Sequence, residues 1–108
     1  MKLVINNIDI IDIDIADDMI SRMQGLMMKK NIKKGLLIKP CNSVHTFFMR
    51  EAIDVLYLDK KGKIIKIIYS MNPWKLGSII FESSSVLELP SGTALKYDIK
   101  ENCVVFFK

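Results

Sequence analysis

The residues with the clearest chemical potential lie in one segment, residues 39–54, which reads KPCNSVHTFFMREAID. It contains Cys41 and His45, the only histidine of the chain. A thiol beside an imidazole can act as a nucleophile when a carboxylate orients the ring, and Asp54 or Glu88 could supply that carboxylate. Spacing alone is a weak signal, so we favour a loop histidine satisfied by hydrogen bonds and a cysteine packed as a small apolar side chain. No catalytic residue is predicted.

The same segment also offers soft metal ligands, because Met49 follows Cys41 and His45. A closed zinc site needs four ligands in a tetrahedron, and three scattered candidates do not complete one. The acidic run at Asp12 and Asp14 lacks the third oxygen ligand and the terminal glutamate of a calcium loop. The sequence has no HExxH, phosphate-binding glycine loop, G-x-S-x-G or paired CxxC motif. We predict neither a metal nor a cofactor.

Four charged residues stand among apolar neighbours and need partners if they are buried: Arg22, Arg50, Asp54 and Glu88. A network of arginines and carboxylates would avoid the large penalty of burying an isolated charge. We favour an architectural network that fixes strands and loops over one that recognises a substrate. If the network is open to solvent, its two arginines would suit a ligand that carries a carboxylate or a phosphate.

Trp74 lies in the loop 71–77, where it either covers the edge of the core or offers a stacking surface, with the cover slightly favoured. Further aromatic residues would complete the wall of a shallow pocket: Phe47, Phe48 and Tyr69. Its polar rim would consist of His45, Arg50 and Lys75. The full set of predicted binding residues is Arg22, Cys41, His45, Arg50, Asp54, Trp74, Lys75 and Glu88.

This aromatic and basic face leads to two functional hypotheses. The first is a non-enzymatic binding or accessory module that holds a protein segment or a small anionic ligand. The alternative is a small thiol-dependent enzyme or hydrolase that uses Cys41 and His45. Because no complete catalytic set is visible, the first hypothesis is preferred.

Composition limits the class of protein. The chain has 108 residues, of which 50% are hydrophobic and 26% are charged, as expected for a globular protein, and it shows no repeat or linker. We predict a single domain, 1–108. Aspartates interrupt the isoleucine-rich start, so neither a signal peptide nor a transmembrane segment is predicted, and with two cysteines the expected location is the cytoplasm.

The net charge is +4, and its densest part is the lysine-rich segment, residues 29–34. No aromatic residue is interleaved with these lysines, as stacking on bases would require. We interpret the segment as a solvated loop or helix end and expect no nucleic-acid partner.

Alternation of apolar and polar residues dominates the chain and predicts a mainly β fold. The predicted strands are 2–6, 8–15, 46–49, 55–59, 63–70, 78–81, 85–89 and 103–107. The alternation shifts by one residue between Ile10 and Ile11, which predicts a β-bulge, and residues 60–62 predict a hairpin. Six to eight short strands in so short a chain favour a compact β-sandwich, a jelly-roll-like fold or a partly open barrel.

One short α-helix is predicted at residues 17–28, with Asp17 or Asp18 as its N-cap. Apolar residues at helical spacing should face the core: Met19, Ile20, Met23, Leu26 and Met27. A weaker helical turn is expected at residues 93–97.

Several short motifs also occur in a characteristic order. They are RxxGLM at 22–27, GLL at 35–37, HTFFMR at 45–50, IDV at 53–55, PWK at 73–75 and VLELPSG at 86–92. In this order and spacing they resemble the family of small prokaryotic proteins catalogued as domain of unknown function 192. The resemblance implies a compact β fold with a short helix and no established catalytic activity. It further implies a subgroup that occurs alongside secretion or pilus-assembly systems, and hence a partner from such a system.

Overall fold

The computed structural model describes residues 1–108, apart from the side chain of Met23. Within these residues it contains seven β-strands and two short helices. Their bounds are β1 Lys2–Ile5, β2 Ile8–Ala16, α1 Met19–Gln24, β3 Gly35–Ile38, β4 Ile53–Leu58, β5 Ile64–Met71, β6 Ser85–Pro90, α2 Thr93–Lys96 and β7 Val105–Phe107. Neither helix is long and apolar enough to span a membrane, as judged on the described residues.

The strands form one sheet in the order β5-β4-β6-β3-β2-β1-β7, curled into a half-barrel. The predicted mainly β fold of six to eight short strands is therefore confirmed. Strands β2 and β3 are parallel, whereas the other neighbouring pairs are antiparallel. A parallel pair needs a crossover connection, and here residues 17–34, which include α1, provide it.

The hairpin between β1 and β2 shows how the sequence sets the local backbone. Asn6 and Asn7 both adopt left-handed conformations, with φ of 54° and 64°, which asparagine tolerates better than most residues. Leu3 pairs with Ile11 whereas the next residue, Val4, pairs with Asp9. Ile10 is therefore the extra residue of a bulge, as the shift in the alternation predicts.

Strands β3, β6 and β4 lie side by side in the middle of the sheet and are buried on both faces. The inner face carries leucines such as Leu56 and Leu87, which pack inside the curl. On the opposite, outer face, Val55 and Val86 pack beneath the crossover and the loop 39–52, which contribute Leu26, Val44 and Met49. The crossover and the loop 39–52 thus cover the outer face of these three strands.

The helix is shorter than predicted because it is capped at both ends. The Asp18 carboxylate accepts a hydrogen bond from the Ser21 N–H at 2.8 Å, and Gly25 ends the helix with φ of 51°. The prediction of a core-facing stripe is wrong for Met19 and Ile20, which are 68% and 67% exposed. Leu26 is buried but follows the helix, and the Met23 side chain lies outside the described residues.

Two predicted strands, 46–49 and 78–81, are loops in the structure, and β3 was not among the predicted strands. Residues 46–49 form a turn, in which the Met49 N–H donates to the Thr46 carbonyl, and the Thr46 backbone bonds to Trp74 and Lys75 of the neighbouring loop. Strand β3 shows no alternation since all four of its residues are buried. Its short apolar run therefore carries no strand-specific signal.

Asp54, 1% exposed, connects three elements and gives a stability prediction. Its carboxylate accepts hydrogen bonds from the Ser70 N–H on β5 at 2.8 Å and from the Ala94 N–H on α2 at 2.9 Å. Asp54→Ala removes both acceptors and should lower the free energy of unfolding by about 2–4 kcal/mol in urea denaturation. Asp12→Ala, which removes an exposed ion pair with Lys2, is the control and should change it little.

Candidate functional site

Glu88 lies on the outer face of β6, between Leu36 of β3 and Val55 of β4. It is only 3% exposed, and its Oε1 atom has no hydrogen-bond partner among the described residues. Burial raises the pKa of this carboxyl to about 7, and the backbone N–H of Leu26 partly opposes the rise. Glu88 is therefore a carboxyl that can take or release a proton near neutral pH.

Glu88 lines a cleft with a volume of about 50 Å³. The cleft lies between the sheet, the end of α1 and the loop 39–52. Its walls combine charged, sulfur-containing and apolar side chains, including Arg22, Cys41, His45, Leu26, Val44 and Met49. Space for a water molecule or a small functional group therefore adjoins the buried carboxyl.

Gly25 lets the main chain approach this carboxyl closely. Its φ is 51°, which side chains disfavour, and a Cβ atom at this position would lie 3.2 Å from the Glu88 Oε1 atom. Gly25 thus ends α1 and also leaves space next to the Glu88 carboxyl, because it has no side chain. Arg22 and Gly25 of the RxxG motif at 22–25 both line this cleft.

Cys41 and His45 both line the cleft, but each bonds to the backbone rather than to the other. The Cys41 Sγ–H donates to the Ser43 carbonyl at 2.9 Å, and the His45 Nδ1 atom accepts from the Phe47 N–H at 3.2 Å. Burial raises the pKa of the Cys41 thiol, and the nearby Glu88 carboxylate adds to the rise. This geometry supports the favoured interpretation of a loop histidine and a packed thiol.

The predicted network of arginines and carboxylates does not form. Asp54 is bound by backbone N–H groups of β5 and α2, away from the cleft. The ion pairs in the described part of the chain connect lysines with aspartates, and neither Arg22 nor Arg50 takes part. The Asp54 carboxylate needs no cation, because two backbone amide donors satisfy it.

Three aromatic rings form a contiguous patch beside the cleft, which we call the aromatic face: Phe47, Phe48 and Trp74. The Trp74 ring lies 6.2 Å from Phe47 and 4.8 Å from Phe48, measured between ring centroids. These side chains are 37%, 51% and 60% exposed. His45 stacks on Phe47, with 5.0 Å between the ring centroids, and also lines the cleft, so it borders both the aromatic face and the cleft.

Thr46 holds the two loops that carry the aromatic face. It is fully buried, its hydroxyl donates to the Asn72 carbonyl at 2.6 Å, and it accepts from the Lys75 N–H at 2.8 Å. Its backbone exchanges further bonds with Trp74 and Lys75. Phe48 and Trp74 both have positive φ, 62° and 64°, a costly conformation that the surrounding bonds impose.

The structure brings part of the predicted site together. Arg22, Cys41, His45 and Glu88 line the cleft, and His45 connects the cleft to Trp74 through Phe47. Arg50 and Lys75 are exposed on the loops of the aromatic face. Tyr69 does not belong to this face, since its hydroxyl reaches the Ile99 carbonyl on the inner side. Gly25 and Thr46 were missed, because their residue types carry no chemical signal.

The model of the family DUF192, described as Uncharacterized ACR, matches residues 2–107. The chain belongs to the DUF192 family. The UPF0127 protein of Pyrococcus horikoshii is 34% identical, over 82% of this chain and 79% of its own length. The UPF0127 protein of Thermococcus gammatolerans is 27% identical and covers 86% of this chain, which spans 64% of that relative.

Two solved structures share the fold of this DUF192 protein. A protein of unknown function from Novosphingobium aromaticivorans has a TM-score of 0.83 at 15% identity, covering 98% of this chain and 82% of its own. A putative transcription regulator from Sinorhizobium meliloti has a TM-score of 0.81 at 21% identity, covering 97% and 89%. At these identities the similarity establishes the fold alone.

The buried carboxyl makes the stability of this DUF192 protein depend on pH. Because the folded-state pKa of Glu88 lies above its ordinary value of 4.5, the folded state binds more protons than the unfolded state between pH 4.5 and 7. This contribution therefore destabilises the protein as pH rises through that range. Glu88→Gln should remove this pH dependence. The free energy of unfolding of the variant relative to that of wild type should therefore rise by about 2 kcal/mol between pH 5 and pH 8.

Urea denaturation of both proteins at the two pH values checks this prediction. Glu82→Gln, which changes an exposed glutamate outside the cleft, is the matched control. A constant difference between Glu88→Gln and wild type across this range would contradict the assignment.

The Cys41 thiol should react more slowly than the thiol of a free cysteine peptide, since burial raises its pKa and lowers its thiolate fraction. The rate can be measured with iodoacetamide near neutral pH in a Cys103→Ser variant, which leaves Cys41 as the one thiol. If Cys41 reacted faster than the peptide thiol, the hypothesis of a thiol-dependent enzyme would be supported instead.

Proposed function

We propose that this DUF192 protein is a non-enzymatic binding module whose aromatic face receives an apolar segment of another polypeptide. The observation that carries the proposal is the contact of three exposed rings on one surface. Exposed aromatic side chains in mutual contact offer large apolar area with few rotatable bonds, as binding surfaces typically do.

The backbone beneath the aromatic face supports this role. The positive φ angles of Phe48 and Trp74 are unfavourable for aromatic residues, yet the bonds around Thr46 hold both in place. Core packing does not explain the conformation, because both rings point outwards and are at least half exposed. A rigid, outward presentation lowers the entropy lost on binding and is consistent with a recognition surface.

The charges around the aromatic face favour a partner with acidic side chains. Arg50 and Lys75 are exposed on the same two loops. The lysine-rich segment lies nearby, because the N–H of Met28, the residue just before it, bonds to the Phe48 carbonyl at 2.9 Å. Positive charges at the rim of an apolar patch steer an acidic partner and fix its orientation. An extended segment with apolar and acidic residues therefore fits best.

The enzymatic alternative receives less support from the same geometry. A thiol nucleophile needs a lowered pKa and a base that accepts its proton, whereas Cys41 has a raised pKa and donates to a carbonyl. His45 uses its Nδ1 atom as an acceptor for a backbone N–H.

Components of a secretion or pilus-assembly system, which the family resemblance implies, are the first polypeptides to test as partners.

Trp74→Ala should weaken polypeptide binding at least about tenfold, as removal of a central aromatic anchor commonly does. Peptides are first selected on the immobilised wild-type protein from a random peptide library. Their affinities for each variant are then measured by fluorescence polarisation. We expect the selected peptides to combine apolar and acidic residues.

Phe106→Ala is the matched control, because Phe106 is 63% exposed on β7, away from the aromatic face. Circular dichroism verifies that both variants fold. Selected peptides that bind Trp74→Ala as tightly as wild type would refute the aromatic face as the binding site.

A further inference from the structure

The Glu88 cleft contains a strong acceptor that the fold does not use. In the part of the chain that the structure describes, the Oε1 atom of Glu88 has no hydrogen-bond donor, although the residue is only 3% exposed. Buried polar atoms are nearly always paired, so an orphaned carboxyl oxygen next to an open space points to a missing partner. That partner must carry a hydrogen-bond donor.

No cation compensates the charge of Glu88 within the described residues, and the Leu26 backbone N–H only partly opposes the cost of burial. Arg22 lines the same cleft, and its charge partly opposes the rise in the pKa of the Cys41 thiol. It forms no ion pair with Glu88 within the described residues. Burying a carboxylate without a cation is strongly unfavourable, and a cation that reached Oε1 would relieve it. A positively charged donor therefore satisfies the hydrogen bond and the charge together.

The size and the walls of the cleft restrict the chemistry further. A volume of about 50 Å³ admits an ammonium head and one or two methylene groups, whereas an aromatic ring is too large. Leu26, Val44 and Met49 supply apolar wall beside the carboxyl, which suits an alkyl stem. A small metal ion is less suited, because no three His, Cys, Asp or Glu side chains converge in the described structure.

We propose that the Glu88 cleft binds a protonated primary amine at the end of an alkyl chain, with the ammonium group donating to Glu88 Oε1. A free alkylamine and the side chain of a lysine share this chemistry. The cleft is a second site, which goes beyond the proposed polypeptide binding at the aromatic face. His45 borders both features, so one partner can reach both.

The test uses n-butylammonium as the probe and ¹⁵N-labelled protein, with the amide shifts of Gly25 and Leu26 as the readout. We expect saturable shifts with wild type at pH 8 and none with n-butanol, which lacks the charge. Glu88→Gln keeps the shape of the side chain and should weaken binding at least about tenfold. Glu82→Gln, outside the cleft, should bind as wild type does.

The pH dependence gives an independent readout. Affinity should fall about tenfold from pH 8 to pH 6, because Glu88 becomes neutral while the alkylammonium stays charged. The other charged or titratable groups that line the cleft are Arg22 on α1 and Cys41 and His45 on the loop 39–52. A His45→Gln variant that keeps the pH dependence assigns it to Glu88, whereas loss of the dependence would contradict the proposal.

Two further probes separate the sources of the amine. Nα-acetyl-lysine amide tests a lysine side chain, and its Nε-acetylated form is the neutral control. Binding of the lysine probe supports a polypeptide source, whereas binding of n-butylammonium alone supports a free amine. The absence of saturable shifts with either amine, or equal affinities for Glu88→Gln and wild type, would overturn the proposal. Trp74→Ala should leave amine binding unchanged, so failure of one site does not imply failure of the other.

Discussion

The position of β6 between β3 and β4 governs the outer face of this protein. Because β6 pairs on both edges, its side chains must alternate strictly between the interior of the curl and the outer face. Leu87 and Leu89 occupy the interior, and this register fixes Glu88 on the outer face. A carboxyl is thereby placed in the middle of a sheet, where solvent reaches it only if the segments above leave space. The crossover and the loop 39–52 leave that space as the cleft.

The two segments that surround the cleft have different origins. The crossover exists because β2 and β3 are parallel, and Gly25 lets its backbone pass close to Glu88. The loop 39–52 is not part of the sheet and depends on hydrogen bonds to the loop 72–77, centred on the buried Thr46. Those same bonds set the positions of the Phe48 and Trp74 rings. The cleft and the aromatic face are therefore consequences of a single arrangement of loops on a rigid sheet.

Much of the fold can be predicted from the sequence, because it depends on local alternation. The register shift at Ile10 and most strands follow from this alternation, and the hairpin at residues 60–62 follows from Gly62, whose φ is 83°. The length of the short helix was not predicted correctly, because caps at both ends shorten it. Strand β3 was not predicted, because all four of its residues are buried and do not alternate. Of the predicted site residues, Arg22, Cys41, His45 and Glu88 line one cleft. The prediction of an arginine partner failed for Asp54, because residue type does not reveal whether backbone amides or arginines satisfy a buried carboxylate.

The Glu51 carboxylate links the motion of the crossover, residues 17–34, to that of the loop 39–52. It accepts hydrogen bonds from the Asn31 N–H at 2.7 Å and the Ile32 N–H at 3.2 Å, so it ties the lysine-rich segment to the loop 39–52. The Met28 N–H makes a second tie, to the Phe48 carbonyl. Two segments joined at both places open as one cooperative unit rather than separately. We therefore expect the backbone amides of Met28, Asn31 and Ile32 to share one local unfolding event, which would expose the Glu88 carboxyl and displace the Phe48 ring at the same time.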